Sequence, residues 1–234
     1  MADHTTLRLA ATLVLVGDIV LGILVVFVHP GGGATEEATL ANYAASRNWV
    51  SIHLAQFTFE TLMLAGLIVL SVALNAPKEI PRWLGVFGAI AAGVAMALAG
   101  VQYAVDGVAN KLAVDAWASA PASDKAARFA IAEAIRWLEA GVNSYTFFMF
   151  GLSLVLLAIL IGWTARIPRP VGLLMGVSGV AILVQGWLIA TRGENQAPSP
   201  EALVALALGF PLLLVAMIWL LIVAWRMKAP VPAV

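Results

Sequence analysis

Apolar residues fill the chain in six long runs separated by short polar stretches. A helix that crosses the hydrocarbon core of a bilayer needs about 20 mostly apolar residues. The runs at 7–28, 50–74, 83–105, 140–163, 171–190 and 203–224 all reach that length. The pattern predicts an all-α polytopic membrane bundle of six transmembrane helices in a single domain, 1–234. The first run is longer than a signal-peptide core and carries Asp18 at its centre. No convincing small-x-small cleavage site follows it, so it reads as an uncleaved span.

The polar breaks predict the connections. His29-Pro30 and Gly31-Gly32-Gly33 form a turn, after which Thr35-Glu36-Glu37 can open a short helix. The stretch 106–139 is Ala-rich and amphipathic, and Pro121 interrupts it. It predicts that the third and fourth spans extend past the membrane as a helical hairpin turning near 120–123, with Ser123 as an N-cap. A short internal match sets Ile80-Pro81-Arg82 and Gly85 against Ile167-Pro168-Arg169 and Gly172, 87 residues on, and places Gln56 on Asn143. Transporters often contain such repeats, but Pro–Arg turns are also common where helices leave the cytoplasm.

Basic residues in short loops set orientation. One side holds Arg8, Lys78, Arg82, Arg166, Arg169, Arg226 and Lys228 with only Asp3 and Glu79 as acids. The other holds Arg47, Lys111, Lys125, Arg128, Arg136 and Arg192 among many acids and longer segments. The first side is expected to be the cytoplasm, with both termini there and the hairpin extracytoplasmic.

Composition agrees with a membrane class and narrows the chemistry. Hydrophobic residues make up 62% and charged ones 11%, against about 25% charged in soluble domains, so charge cannot cover a soluble surface. Thirteen basic residues balance 13 acidic ones, which offers nucleic acid no basic patch. With no Cys, disulfides, thiolate metal sites and Cys nucleophiles are excluded. The expected partners are the lipid bilayer and a small-molecule or ion ligand, with no nucleic acid.

Ionisable groups at membrane depth are costly and mark candidate sites. His53, Gln56 and Glu60 are spaced i, i+3, i+7 on one face of the second span. Arg136, Glu139 and Asn143 repeat that spacing at the start of the fourth. Gln102 and Asp106 end the third beside Tyr103, Gln185 and Arg192 share a face of the fifth, and the sixth has no ionisable group. Asp18 and His29 are eleven residues apart, close to three turns. The polar stripes lie in the outer half, above two deep acids, and predict a cavity open outward and closed below. Its expected lining is Asp18, His53, Gln56, Glu60, Gln102, Asp106, Glu139 and Asn143. The plainer reading pairs Glu139 with Arg136, and Asp106 with Arg192 or Lys111, to steady helix ends. On it the amides are interhelical glue. Trp49, Trp83, Trp137, Trp163, Trp187 and Trp225 fit an interfacial belt.

Three chemistries fit this set. A transporter or receptor would hold a cation or exchange protons at Glu60 and Asp18. An intramembrane enzyme would use Glu60 with Glu139 or Asp106 as acid and base on a lipid or isoprenoid, with His53 as relay. Haem or a metal would take His29 and His53, the metal candidates, with Glu60 or Glu139. No HExxH, GxSxG or Asp-rich diphosphate motif is present. A structural subunit is the fourth alternative.

The stretch Val105-Asp106-Gly107-Val108-Ala109, then Trp117, Arg136-Trp137-Leu138-Glu139 and Asn143-Ser144-Tyr145, resembles bacterial six-helix membrane proteins of no assigned activity. The resemblance covers about a fifth of the chain. It implies a bacterial inner-membrane location and carries over no catalytic residue.

Overall fold

The computed structural model describes residues 4–74, 79–164, 167–193 and 199–227. Its helices are α1 (His4–Val28), α2 (Glu36–Ala45), α3 (Trp49–Ala73), α4 (Glu79–Ala118), α5 (Lys125–Thr164), α6 (Arg169–Arg192) and α7 (Pro200–Arg226). All except α2 are long and apolar enough to cross a membrane. The protein is an all-α, multi-pass membrane bundle. Of the residues behind the orientation expectation, Asp3, Lys78, Arg166 and Lys228 lie outside the described ones.

The six spans close into a ring. Each packs on the next, and α7 returns to α1. At that seam Arg8 donates to the carbonyls of Ala224 (3.1 Å) and Met227 (3.2 Å) and lies over the Trp225 ring. A cation there meets the unpaired carbonyls of a helix C-terminus.

Inside the ring, small residues let backbones meet, as lipid-embedded helices require. A Cβ on Gly151 would lie 2.6 Å from the Gly179 carbonyl oxygen, and one on Gly17 would lie 2.6 Å from that of Phe59. Hydroxyls bridge other helices: Ser153 donates to the Gly88 carbonyl (2.9 Å) and Ser178 to that of Gly209 (2.7 Å). Gly85 and Gly172, the glycines of the internal match, both face α5, at Leu160 and Ile161 respectively.

Helices α4 and α5 contain 40 residues each, about 60 Å at 1.5 Å per residue, roughly twice the hydrocarbon thickness. Their excess forms the expected hairpin. It turns between Ala118 and Lys125, and Ser123 donates to the Asp124 carboxylate. The Arg128 amide bonds to the Asp124 carbonyl, so the cap position falls one residue later than Ser123. Thr35 does cap α2, accepting from the Ala38 amide (3.1 Å).

Over the hairpin end sits a second apolar interior of Leu40, Tyr43, Trp49, Val114, Trp117 and Ala132. Lys111 ties it together by donating to the Tyr43 and Ala44 carbonyls at the end of α2. Lys125 donates to the Trp117 and Ala118 carbonyls at the end of α4. Trp49 departs from the interfacial belt. It is 1% exposed, because its indole N–H is satisfied inside the protein.

Two stretches leave α geometry. The last turn of α1, Leu24–Val28, is π-helical, and so is Val105–Asn110 within α4. Both lie at the hairpin end, where the polar residues gather.

Candidate functional site

The site is assembled where α3 begins, α1 ends and α4 changes its winding. His53 on α3 is 1% exposed. Its Nδ1 is 2.7 Å from the Trp49 carbonyl one turn back, and its Nε2 is 2.8 Å from Asp106 Oδ2. The π-helical turn of α4 delivers Asp106 to that position. Gly107 beside it allows the approach, since a Cβ there would lie 2.7 Å from the His53 Cβ. Asp106 is held on two further sides: Asn110 Nδ2 donates to its Oδ1 (3.0 Å), and the Trp49 indole donates to its carbonyl (2.9 Å). Asn110 is fully buried, and its Oδ1 has no partner among the described residues.

His29 arrives from the other side. Its backbone amide closes the π-helical turn on the Leu24 carbonyl, and its extended conformation (φ −66°, ψ 133°) ends α1. Pro30 enforces that stop, because a proline disfavours helical backbone in the residue before it. The imidazole then packs 5.1 Å from the His53 ring and 5.2 Å from Trp49, with Tyr43 at 6.3 Å. Nitrogen and oxygen atoms of His29, His53 and Asp106 all lie within 4.8 Å of one another. Burial pushes the His29 imidazole below its ordinary value, and the nearby His53 acts in the same direction.

A second polar pair flanks the cluster. Arg136 Nη1 donates to Glu139 Oε2 at 2.6 Å, and its guanidinium lies 5.1 Å from the Tyr43 ring centroid. Both side chains are buried, as the pairing alternative expects. Lys111 and Arg192, the other expected partners of Asp106, are engaged elsewhere. Lys111 pairs with Asp115 and Arg192 with Glu201.

Deeper in the bundle, Tyr103 donates to Glu60 Oε2 (2.8 Å). Its ring is 6.2 Å from that of His53, so it stands between the deep acid and the cluster. His53, Gln56 and Glu60 are all buried along one face of α3, as their spacing predicts. Gln102 is half-buried, its Oε1 without a partner among the described residues, and Asn143 is half-buried on α5. Asp18 is buried on α1 and has no hydrogen-bond or ion-pair partner among the described residues.

His29, His53 and Asp106 therefore converge, whereas Asp18 stands apart and Glu60 belongs to a separate pair. A groove of about 880 Å³ also runs along α5, α6 and α7, past Val155, Gly162, Gly176 and Val204, and no predicted site residue lines it. Sequence reasoning missed Trp49, Asn110 and Tyr43 as supports. The i, i+4 relation of Asp106 and Asn110 was the one available signal. No family model, curated protein or solved structure matches the chain.

Proposed function

We propose that this protein is a membrane protein that binds a small cation, or the cationic group of a small ligand, at the hairpin end of its bundle. The observation that carries the reading is the buried Asp106 carboxylate, which faces two imidazoles and feels Arg136, the cation of the flanking ion pair with Glu139, without a direct ion pair to it. A buried carboxylate is stable only with a counter-charge, a proton or a metal. Glu60, bonded to Tyr103 below, supplies a second acid on the same side of the bundle. By the charge asymmetry of the loops the site opens away from the cytoplasm. The resemblance favours a bacterial inner membrane. Binding is the supported part of the reading, since the opposite half of the bundle is closed by aliphatic packing around Leu70, Leu157 and Leu220.

The test is thermal unfolding of the full chain in detergent against Na⁺, Ca²⁺, Zn²⁺, choline and spermidine, for wild type, Asp106→Asn and Glu60→Gln. At least one cation raises the unfolding temperature of wild type, and Asp106→Asn loses that shift. A wild-type protein indifferent to the whole panel overturns the reading, as does a shift that survives Asp106→Asn intact.

A further inference from the structure

We infer that His29, His53 and Asp106 bind one divalent transition-metal ion. The inference rests on the cation-binding reading and names the cation's class.

The Trp49 carbonyl can only accept a hydrogen bond, so the His53 Nδ1 facing it at 2.7 Å carries a hydrogen. A neutral imidazole then has a bare lone pair at Nε2. That lone pair points at Asp106 Oδ2, 2.8 Å away, and an ionised carboxylate also only accepts. Two lone pairs at that distance repel unless a positive centre joins them. One solution is a proton in the contact, held by the ring as an imidazolium or by the carboxyl group as an acid. The other is a metal ion, with the shared contact opening to about 3.3 Å, the spacing of tetrahedral ligands at 2.0–2.1 Å from zinc.

Three further observations favour the metal. His29 brings a third donor within 4.8 Å of the other two, which an ion pair does not need and a coordination sphere does. Closing that gap takes a movement of His29, which is half-buried at the mouth of a loop rather than inside a helix. The surroundings match those of metal ligands, whose outer hydrogen bonds fix tautomer and direction. The Trp49 carbonyl holds His53 by its far nitrogen, while the Asn110 amide and the Trp49 indole hold Asp106. Finally, both π-helical turns among the described residues deliver ligands, one ending on His29 and the other carrying Asp106. Such turns are rare and concentrate at functional sites.

The donor set decides the class. Two imidazoles and one carboxylate suit Zn²⁺, Fe²⁺ or Co²⁺, whereas Ca²⁺ and Mg²⁺ prefer all-oxygen shells. No thiolate exists in the chain to favour Cu(I). Three protein ligands leave a position for water or a small ligand. Imidazole rings 5.1 Å apart with Trp49 packed on both suit a single ion better than a porphyrin plate.

The experiment uses full-length protein with a non-histidine affinity tag, stripped with chelator and reloaded with Zn²⁺ or Co²⁺. Wild type is expected to retain one Zn²⁺ per chain through desalting and to show visible d–d absorption with Co²⁺. Ca²⁺ competes with neither. His29→Ala, at a partly exposed loop position, is expected to stay folded and to weaken Zn²⁺ at least about 10-fold. Asp106→Asn is expected to abolish retention. Zn²⁺ lost on desalting, or equal affinity in wild type and His29→Ala, overturns the assignment and leaves His53–Asp106 as a protonated pair. If Zn²⁺ fails while choline or spermidine still stabilises wild type and not Asp106→Asn, the metal falls and cation binding stands. If no cation acts, both fall.

Discussion

The two interiors of this protein hold together by different means. Between the spans, contact runs through Gly151, Gly179, Gly17 and the Ser153 and Ser178 hydroxyls. Over the hairpin end it runs through Tyr43, Trp49, Trp117 and the lysines that tie helix ends. The reason is the solvent each faces. Lipid gives no hydrophobic drive between helices, so close backbone approach and polar bridges supply the attraction. Beyond the membrane, water restores that drive, and large aromatic surfaces become the stronger glue. The candidate site lies at the boundary, where Trp49 belongs to the aromatic interior and His53, one turn later, already lines the membrane bundle.

The largest effect is expected at the shared residue. Trp49→Ala removes a fully buried side chain and the bond to the Asp106 carbonyl, at about 3–5 kcal/mol. Urea unfolding of the detergent-solubilised protein measures it. A cost below that of the glycine variant that follows would mean the aromatic interior is not held by burial. Gly179→Val forces a side chain into the Gly151 carbonyl and is expected to cost about 1–3 kcal/mol. Metal retention should survive in whatever fraction folds, and its loss would show that the two interiors are one unit. Next comes Lys111→Ala, which leaves the end of α2 uncapped, at about 1 kcal/mol, read as faster proteolysis of the segment around 31–45. The smallest effect belongs to Ser178→Ala, about 0.6 kcal/mol, the average for a hydrogen bond between membrane helices. If Ser178→Ala costs more than Lys111→Ala in the same titration, polar bridges outweigh helix-end charges and the contrast must be redrawn.

The spans, the hairpin and the buried face of His53, Gln56 and Glu60 were legible, because each follows from run length or from a period of 3.6 residues. The meeting of His29 with His53 and Asp106 was not. Spacing arguments assume one winding throughout, and α1 and α4 both change winding at the turn that leads to His29 or carries Asp106, while His53 sits on regular helix. Asp18 and His29 show the cost: eleven residues make about three α turns and would share a face, but the π turn at Leu24–Val28 shifts the phase of His29. His29 also read as a loop residue because Pro30 follows it. That proline is what halts α1 with the imidazole facing inward. Trp49 lay outside reach for another reason. A tryptophan near a span end fits an interfacial belt, and only the fold supplies the carbonyl that satisfies its N–H.

The π-helical turn in α4 makes this architecture sensitive to indels in a way substitutions would not reveal. A π turn amounts to one surplus residue in an otherwise regular helix, and each residue of α-helix carries about 100° of rotation. Deleting one residue between Val105 and Asn110 would remove the surplus and restore regular winding with everything beyond it nearly in phase. Val114 and Trp117 would stay on Leu40 and Trp49, whereas the turn that sets Asp106 against His53 would be redrawn. The length of that segment governs the place of Asp106 separately from the way the cap faces.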